Sequence, residues 1–351
     1  MSEALDADVR RDDAVAPGRE APASAEAGRV AVIVVNYKTP EMIGPCLDSL
    51  AEERASGVAL SAFVGDADSG DGSVEIVDAH IRARGYGDWA SVYQIGYNGG
   101  FAYANNHVLE HRVLPDPGFA FVHFLNPDAY VRPGAVRALR DFLVAHPEAG
   151  AVGSRMEDPD GSMQASAFRV PTPWREFFRG ARIGPLDRLV PSADLRMRAE
   201  EAAAHEPLAA DWICGASFMM PRRVLETVGS MDARYFLYFD ETDLCARLRK
   251  AGLGVWYLPR SRVVHLCGQA TGLRSTDTEP KRVPAFWLNS RYKFFRDHYG
   301  RAGAALATAL YLAGDLANRA YNAPWRRRAR RTPHLWRDYL THGFRLPRPP
   351  R

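Results

Sequence analysis

The sequence predicts an α/β fold on a largely parallel sheet, and three observations carry that expectation. Val30-Ala-Val-Ile-Val-Val35 is an unbroken apolar, mostly β-branched run, the mark of a strand covered on both faces. Strand patterns then alternate with helical ones, which is the order of a doubly wound sheet. Small polar residues follow the strands: Asn36, Asp66 and Asp128 each stand at the end of an apolar run. In open α/β sheets ligands bind beyond those carboxyl ends.

Taken in order, residues 1–28 are rich in Ala, Asp, Glu, Arg and Pro and bury too little to order themselves, so they read as a disordered leader. After the first strand, Thr39 is placed as a helix N-cap with Pro40 at the first helical position. Ile43, Cys46, Leu47 and Leu50 follow at helical spacing. Residues 59–64 read as a second strand, 74–84 as a helix, and 91–95 as a third strand. Residues 119–125 form a strongly apolar strand, and Pro133-Gly134 opens a helix over 135–145. From Gly153 to Glu206 the pattern loosens and reads as an insertion that shapes an acceptor pocket, with a hairpin turn at Asp158-Pro-Asp-Gly161. A strand at 218–220, a helix near 223–228 and two separate short strands, 254–258 and 262–265, complete the body. Beyond Gly272 the chain turns helical.

Composition narrows the class. Hydrophobic residues make up 46% and charged residues 25% of 351 residues, enough for a sizeable core. Of the net charge of +3, residues 319–351 contribute +9 through ten Arg against one Asp, which leaves −6 for residues 1–318. Cys46, Cys214, Cys245 and Cys267 form no CxxC pair, so neither a zinc site nor a disulfide framework is suggested. No export signal and no run of 18 apolar residues is seen, which places the chain in the cytoplasm, with peripheral contact at the inner face of the membrane as the further expectation. The absence of GxGxxG after the first strand and of GxxxxGK[ST] removes most support for a dinucleotide oxidoreductase or a P-loop NTPase.

Several side chains carry chemistry. Asn36, Tyr37 and Asp66 are candidate nucleotide contacts, an aromatic ring to cover a base and a carboxylate to accept an imide N–H. Asn98 supplies amide groups, and Gly99-Gly100 allow backbone to approach a ligand. Asp128, after Asn126, suits a Mg²⁺ or Mn²⁺ ion beside a phosphate, and His265 is a nitrogen partner for it. Trp212 is either a sugar platform or core. In Tyr235-Phe-Leu-Tyr-Phe-Asp-Glu-Thr-Asp-Leu-Cys-Ala-Arg247, apolar residues run straight into Asp240, Glu241 and Asp243. Acids in a first helical turn also satisfy the helix dipole, so that stretch alone does not decide between structure and catalysis.

The ordered set Val-Ile-Val-Val-Asn36-Tyr37, Asp66 to Ser73, Asn98-Gly-Gly-Phe-Ala102, Leu125-Asn-Pro-Asp128, Tyr238-Phe-Asp-Glu-Thr-Asp243 and Val263-Val-His265 resembles the inverting family 2 glycosyltransferases of the GT-A fold. The likeness is to the rhamnosyltransferase-like branch and spans roughly residues 29–272, with 273–351 a helical, basic extension. The resemblance implies a Rossmann-like mixed sheet flanked by helices, and a base site at Tyr37 and Asp66. It also implies a metal site at Asp128 and His265, Glu241 as catalytic base and Asp240 as an acceptor contact. It implies a nucleotide-sugar donor (dTDP-rhamnose first, UDP- or GDP-sugars also fitting) and a cell-surface glycan or lipid-linked acceptor. Three positions depart from the family pattern: Asn126 replaces the first acid of the metal motif, Ala67 replaces an Asn, and the usual Glu-Asp order is Asp240-Glu241. These departures keep a non-catalytic sugar-nucleotide-binding homologue as the alternative. The Arg-rich tail beside an apolar helix fits either a surface anchor on anionic lipid or a solvated helical subdomain, and no nucleic-acid partner is expected.

Overall fold

The computed structural model describes residues 28–190, 196–197, 205–266, 281–323 and 332–342. The leader at 1–27, Cys267 and the Arg run at 326–331 lie outside these residues. The chain opens with β1 (Arg29–Asn36), α1 (Pro40–Ala55), β2 (Leu60–Asp66), α2 (Ser73–Arg84), β3 (Ala90–Gln94) and α3 (Phe101–Val108). It continues with β4 (Phe119–Leu125), β5 (Ala129–Val131), α4 (Ala135–Ala145) and β6 (Ala149–Glu157). Then come β7 (Ala167–Phe168), α5 (Pro173–Ala181), α6 (Gly184–Leu189), β8 (Leu208–Ala209), β9 (Trp212–Ile213) and β10 (Ser217–Pro221). The last elements are α7 (Arg222–Val228), α8 (Asp240–Lys250), β11 (Gly254–His265), α9 (Ala285–Asn322) and α10 (Leu335–His342).

The main sheet runs in the order β3-β2-β1-β4-β10-β6-β11-β5, with β8 on β11. β3, β2, β1 and β4 are parallel; β10 lies antiparallel between β4 and β6. The mixed sheet is therefore parallel in its first half, as the alternation of patterns implies. β1 is buried from Val30 to Asn36, and separate apolar clusters cover the two faces of the sheet. Burying such a strand side chain stabilises by roughly 1.5–3 kcal/mol, the reason a continuous apolar run reads so clearly.

Three local expectations are corrected. The stretch from Gly153 onward does not loosen at once, because Ala149–Glu157 is an internal strand between β10 and β11. The chain leaves the sheet only at the Asp158–Gly161 turn, closed by Gly161 N–H donating to Asp158 O at 2.8 Å. Residues 254–258 and 262–265 form one strand: Leu258 pairs with Ser154 and Arg262 with Arg155, so residues 259–261 bulge out without ending the pairing. Thr39 does stand at the N-cap of α1 but makes no side-chain cap; its hydroxyl donates instead to Asn36 Oδ1 at 3.0 Å.

The C-terminal helices pack on the sheet domain at Tyr235 and Phe239 and along α5. α9 has a non-helical break at Gly300 (φ 71°, ψ 176°). Its first half supplies Tyr292, Phe294 and Phe295 to a cluster with Tyr235 and Phe239. Its second half crosses α5 at Gly180 and Gly314, where an added Cβ would stand 2.2 Å from Tyr311 O and 2.0 Å from Phe177 O respectively. Arg291 and Glu176, both fully buried, are paired at 2.7 Å across this contact.

Candidate active site

The strand ends bring the first candidates together. Register aligns Asn36 with Asp66. Asn36 Nδ2 donates to Asp66 Oδ1 at 2.7 Å, while Ser69 N–H and Ser69 hydroxyl donate to Asp66 Oδ2 and Oδ1 at 2.9 and 2.6 Å. Asn36 and Asp66 are 1% and 2% exposed, so they tie the first two strand-end loops to each other. Tyr37 is half-buried beside them, with the Lys38 ammonium 5.3 Å from its ring centre. Ser69 was missed in the sequence because it sits in a turn whose Asp, Gly and Ser content is ordinary.

The glycine-bearing loop after β3 shows why glycine is needed. Gly100 has φ +90°, and a Cβ there would lie 1.9 Å from Phe236 O. The neighbouring Phe101 N–H donates to that carbonyl at 2.8 Å. At Gly99 the clearance is taken by the ring of Tyr103. The close approach expected toward a ligand is, at both positions, an approach to the chain itself. Asn98 Oδ1 accepts from Gly100 N–H at 3.2 Å and shapes the turn.

At the ends of β4 and β11 a polar cluster forms. Pairing of His265 with Ala129, one residue beyond Asp128, carries the imidazole to the carboxylate. His265 Nε2 lies 3.4 Å from Asp128 Oδ1 and 3.3 Å from Asn126 Nδ2. Among the described residues no group of three His, Cys, Asp or Glu side chains surrounds one point. One carboxylate and one imidazole at a strand end nevertheless fit a Mg²⁺ or Mn²⁺ ion, which is commonly held by one or two protein ligands and completed by substrate phosphates.

The acid pair stands across a two-residue turn from that cluster. Asn126 N–H donates to Ala216 O at 2.9 Å, and a Cβ on Gly215 would lie 3.5 Å from the Glu241 carboxyl carbon. Asp240 is 1% exposed and its Oδ2 is buried with no hydrogen-bond partner; Glu241 is partly exposed. Burial pushes both carboxyls above their ordinary range, and the Asp240 charge beside Glu241 lifts Glu241 well above it.

What fixes the pair is the backbone before it. Tyr238 and Phe239 are consecutive residues at φ 65° and 64°. This left-handed conformation costs roughly 1–2 kcal/mol per non-glycine residue. It is held from several sides: Ser290 Oγ donates to Leu237 O at 3.0 Å, Phe101 N–H takes Phe236 O, and Phe239 packs on Trp287 and Phe294. One turn into α8, Asp243 accepts from Arg247 Nε and pairs with His298 Nε2, both at 2.9 Å. Burial alone would raise the Asp243 carboxyl; His298 and Arg247 outweigh it and hold it below the usual range. His298, Ser290 and Trp287 were invisible as site-supporting residues in the sequence, since they lie some 50 residues downstream, and no local pattern ties them to this loop.

Trp212 is already engaged. Its ring stacks on Phe168 at 4.1 Å and 13°, and its N–H donates to Arg169 O at 2.9 Å. The core alternative describes what these contacts do.

The mixed sheet flanked by helices is a GT-A glycosyltransferase fold. Residues 27–282 match the model of the family described as glycosyltransferase like family 2, and the chain belongs to that family. It is 30% identical over 321 residues to N-acetylglucosaminyl-diphospho-decaprenol L-rhamnosyltransferase of Mycobacterium tuberculosis, covering 83% of this chain and 91% of that one. Rhamnosyltransferase WbbL of Escherichia coli is 25% identical over 176 residues, half of this chain and 61% of its own. Among solved structures, a Pyrobaculum calidifontis mannosyltransferase in complex with GDP-Man and Mn²⁺ superposes with TM-score 0.52 at 20% identity, covering 88% of this chain and 79% of its own. GalNAc-T7 with UDP, GalNAc and Mn²⁺ gives 0.56 at 11% identity, covering 86% of this chain and 58% of its own. These two establish the fold.

Proposed function

We propose that the chain transfers rhamnose from dTDP-rhamnose to a hydroxyl of a lipid-linked glycan, with inversion, at the inner face of the cell membrane. The observation that carries this reading is the placement of the Asp240–Glu241 pair across Gly215-Ala216 from the Asn126, Asp128 and His265 cluster. The name of the mycobacterial relative, a rhamnosyltransferase acting on a polyprenyl diphosphate, supports the donor sugar and the acceptor class. The Mn²⁺ in the two structural neighbours supports a divalent ion at Asp128 and His265. Such an ion supplies charge neutralisation to a departing diphosphate.

The residues then have distinct tasks. Glu241 takes the proton of the acceptor hydroxyl as that oxygen attacks the anomeric carbon, and its raised proton affinity makes it a stronger base. Asp240 holds Glu241 by their shared hydrogen bond and offers a buried oxygen to the acceptor. Tyr37 covers the base, and the Asn36–Asp66 pair fixes the loops around it. One displacement, with no covalent enzyme intermediate, inverts the centre. The retained acid pair favours catalysis over a binding-only homologue.

The test is incubation with dTDP-, UDP- and GDP-sugars plus Mn²⁺, an acetylglucosaminyl diphosphate polyprenol acceptor, and determination of product stereochemistry. Rhamnosylated product of inverted configuration is expected. Retention of configuration, or turnover only with another sugar, would overturn the reading.

A further inference from the structure

The outer face of the second half of α9 is apolar and has no covering element among the described residues. Past the break at Gly300, exposed positions recur at 302, 305, 306, 309, 313, 316 and 320, all Ala or Leu. At 100° per residue they share a stripe roughly 100° wide and about 28 Å long. No charged side chain falls on it, and Arg301 and Arg319 stand at its margins. The opposite face of the same helix is the one spent on packing, through Ala304, Ala307, Tyr311 and Gly314.

Exposed large apolar side chains concentrate in this part of the molecule. Leu306, Leu316 and Tyr321 on α9 are 52%, 57% and 47% exposed, and on the adjacent α10 Trp336 and Leu340 are 36% and 58% exposed. Elsewhere Ile76, Tyr97, Trp174, Leu189, Phe236 and Tyr299 are also exposed, spread over several other elements and loops, whereas the other five fall on α9 past its break and on α10. A contiguous surface of this kind marks contact with another apolar phase.

Charge chooses between the two natural occupants. A second copy seated on the stripe would add its own +9 over residues 319–351, the stretch that ends and continues this helix in sequence, to an identical +9. An anionic bilayer would instead neutralise it, each basic residue near such a surface contributing about 1 kcal/mol. An apolar helical face bordered by Arg is the pattern of a helix lying in the headgroup plane. We propose that the 302–320 face of α9, bordered by Arg301 and Arg319, docks on anionic lipid. This deepens the reading of a lipid-linked acceptor and rests on it for purpose. The first half of α9 braces the catalytic loop, so the docked helix sets the height of Glu241 above the headgroups.

The experiment is co-sedimentation of the full chain with phosphatidylglycerol or phosphatidylcholine vesicles, for wild type and for L306E/L316E. Wild type is expected to bind phosphatidylglycerol and not phosphatidylcholine, and the variant to bind phosphatidylglycerol at least about tenfold more weakly, two charges having been placed on the lipid-facing side. Equal binding by both, or no wild-type binding to phosphatidylglycerol, overturns the proposal. So does a lipid-free wild-type dimer, seen by sedimentation velocity, that the variant dissociates; a second copy would then be the occupant. Sugar-nucleotide thermal shifts measured alongside confirm that the variant is folded, and A313E serves in its place if it is not. Loss of those shifts in wild type would count against the proposed function and leave the vesicle result standing.

Discussion

Glu241 concentrates the consequences at the scale of single residues. Glu241→Gln keeps the shape but cannot accept a proton, so transfer should fall at least about a hundredfold with nucleotide binding nearly unchanged. Wild-type turnover in that variant would falsify its role. The same substitution has a thermodynamic sign. A carboxyl raised in the folded state contributes its relative stability below its unfolded pKa and loses it as pH rises through the folded value. Gln escapes that loss, so the variant should melt higher than wild type at pH 8 and show a smaller difference at pH 4. At the opposite side of the site, Asp128→Ala or His265→Ala should abolish the dependence of donor affinity on Mn²⁺, measured by calorimetry with and without the ion. An unchanged Mn²⁺ dependence in both would remove the cluster from consideration. These side chains were legible from sequence because each ends an apolar run. The role of the supporting Ser69 and His298 was not, since neither position has a local pattern to betray it.

Among the elements, the loop 235–239 is the most exacting. Gly100→Ala would force a Cβ into the Phe236 carbonyl and strain a positive φ, so it should lower stability by about 1–3 kcal/mol. It should also displace the strained Tyr238–Phe239 turn and reduce kcat more than donor affinity. An unaltered melting temperature and kcat would show that the approach is slack. This contact also explains what the sequence could and could not disclose. Paired glycines announce a close approach, and ligand and backbone make the same demand on a missing Cβ. Which of the two fills the gap depends on Phe236, far along the chain and beyond the reach of any window. The merger of two short strands into β11 has the same origin: Pro259 and the residues after it read as a break, while pairing with β6 on both sides carries the strand through.

At the level of the whole molecule, the C-terminal helices are fastened to the body by buried charge as well as apolar contact. Arg291 and Arg179 both pair with Glu176, which is fully buried. Glu176→Ala would leave two arginines without their anion, at a cost of roughly 3–5 kcal/mol. Chemical denaturation is the measure, and a loss under about 1 kcal/mol would show the pair to be solvated. The parallel half of the sheet was expected from alternating patterns, but the full strand order with its antiparallel β10 and the attachment of α9 were not. Its residues read only as a helical extension with an apolar stretch, and the packed structure shows which stripe meets α5, which meets the loop 235–239 and which is left outside among the described residues.

The bond from Ser290 to the Leu237 carbonyl spans 53 residues of chain, and it has a bearing on biosynthesis. Strands and acid pair are all translated before residue 285, yet part of what holds the strained turn, the Ser290 bond and the packing of Trp287 and Phe294, comes from the later helix α9. During synthesis from the N-terminus, which proceeds at about 5–20 residues per second, the nascent sheet can therefore fold before its chemistry is assembled. A polypeptide released early, or clipped between β11 and α9, would hold both candidate acids without that support from α9.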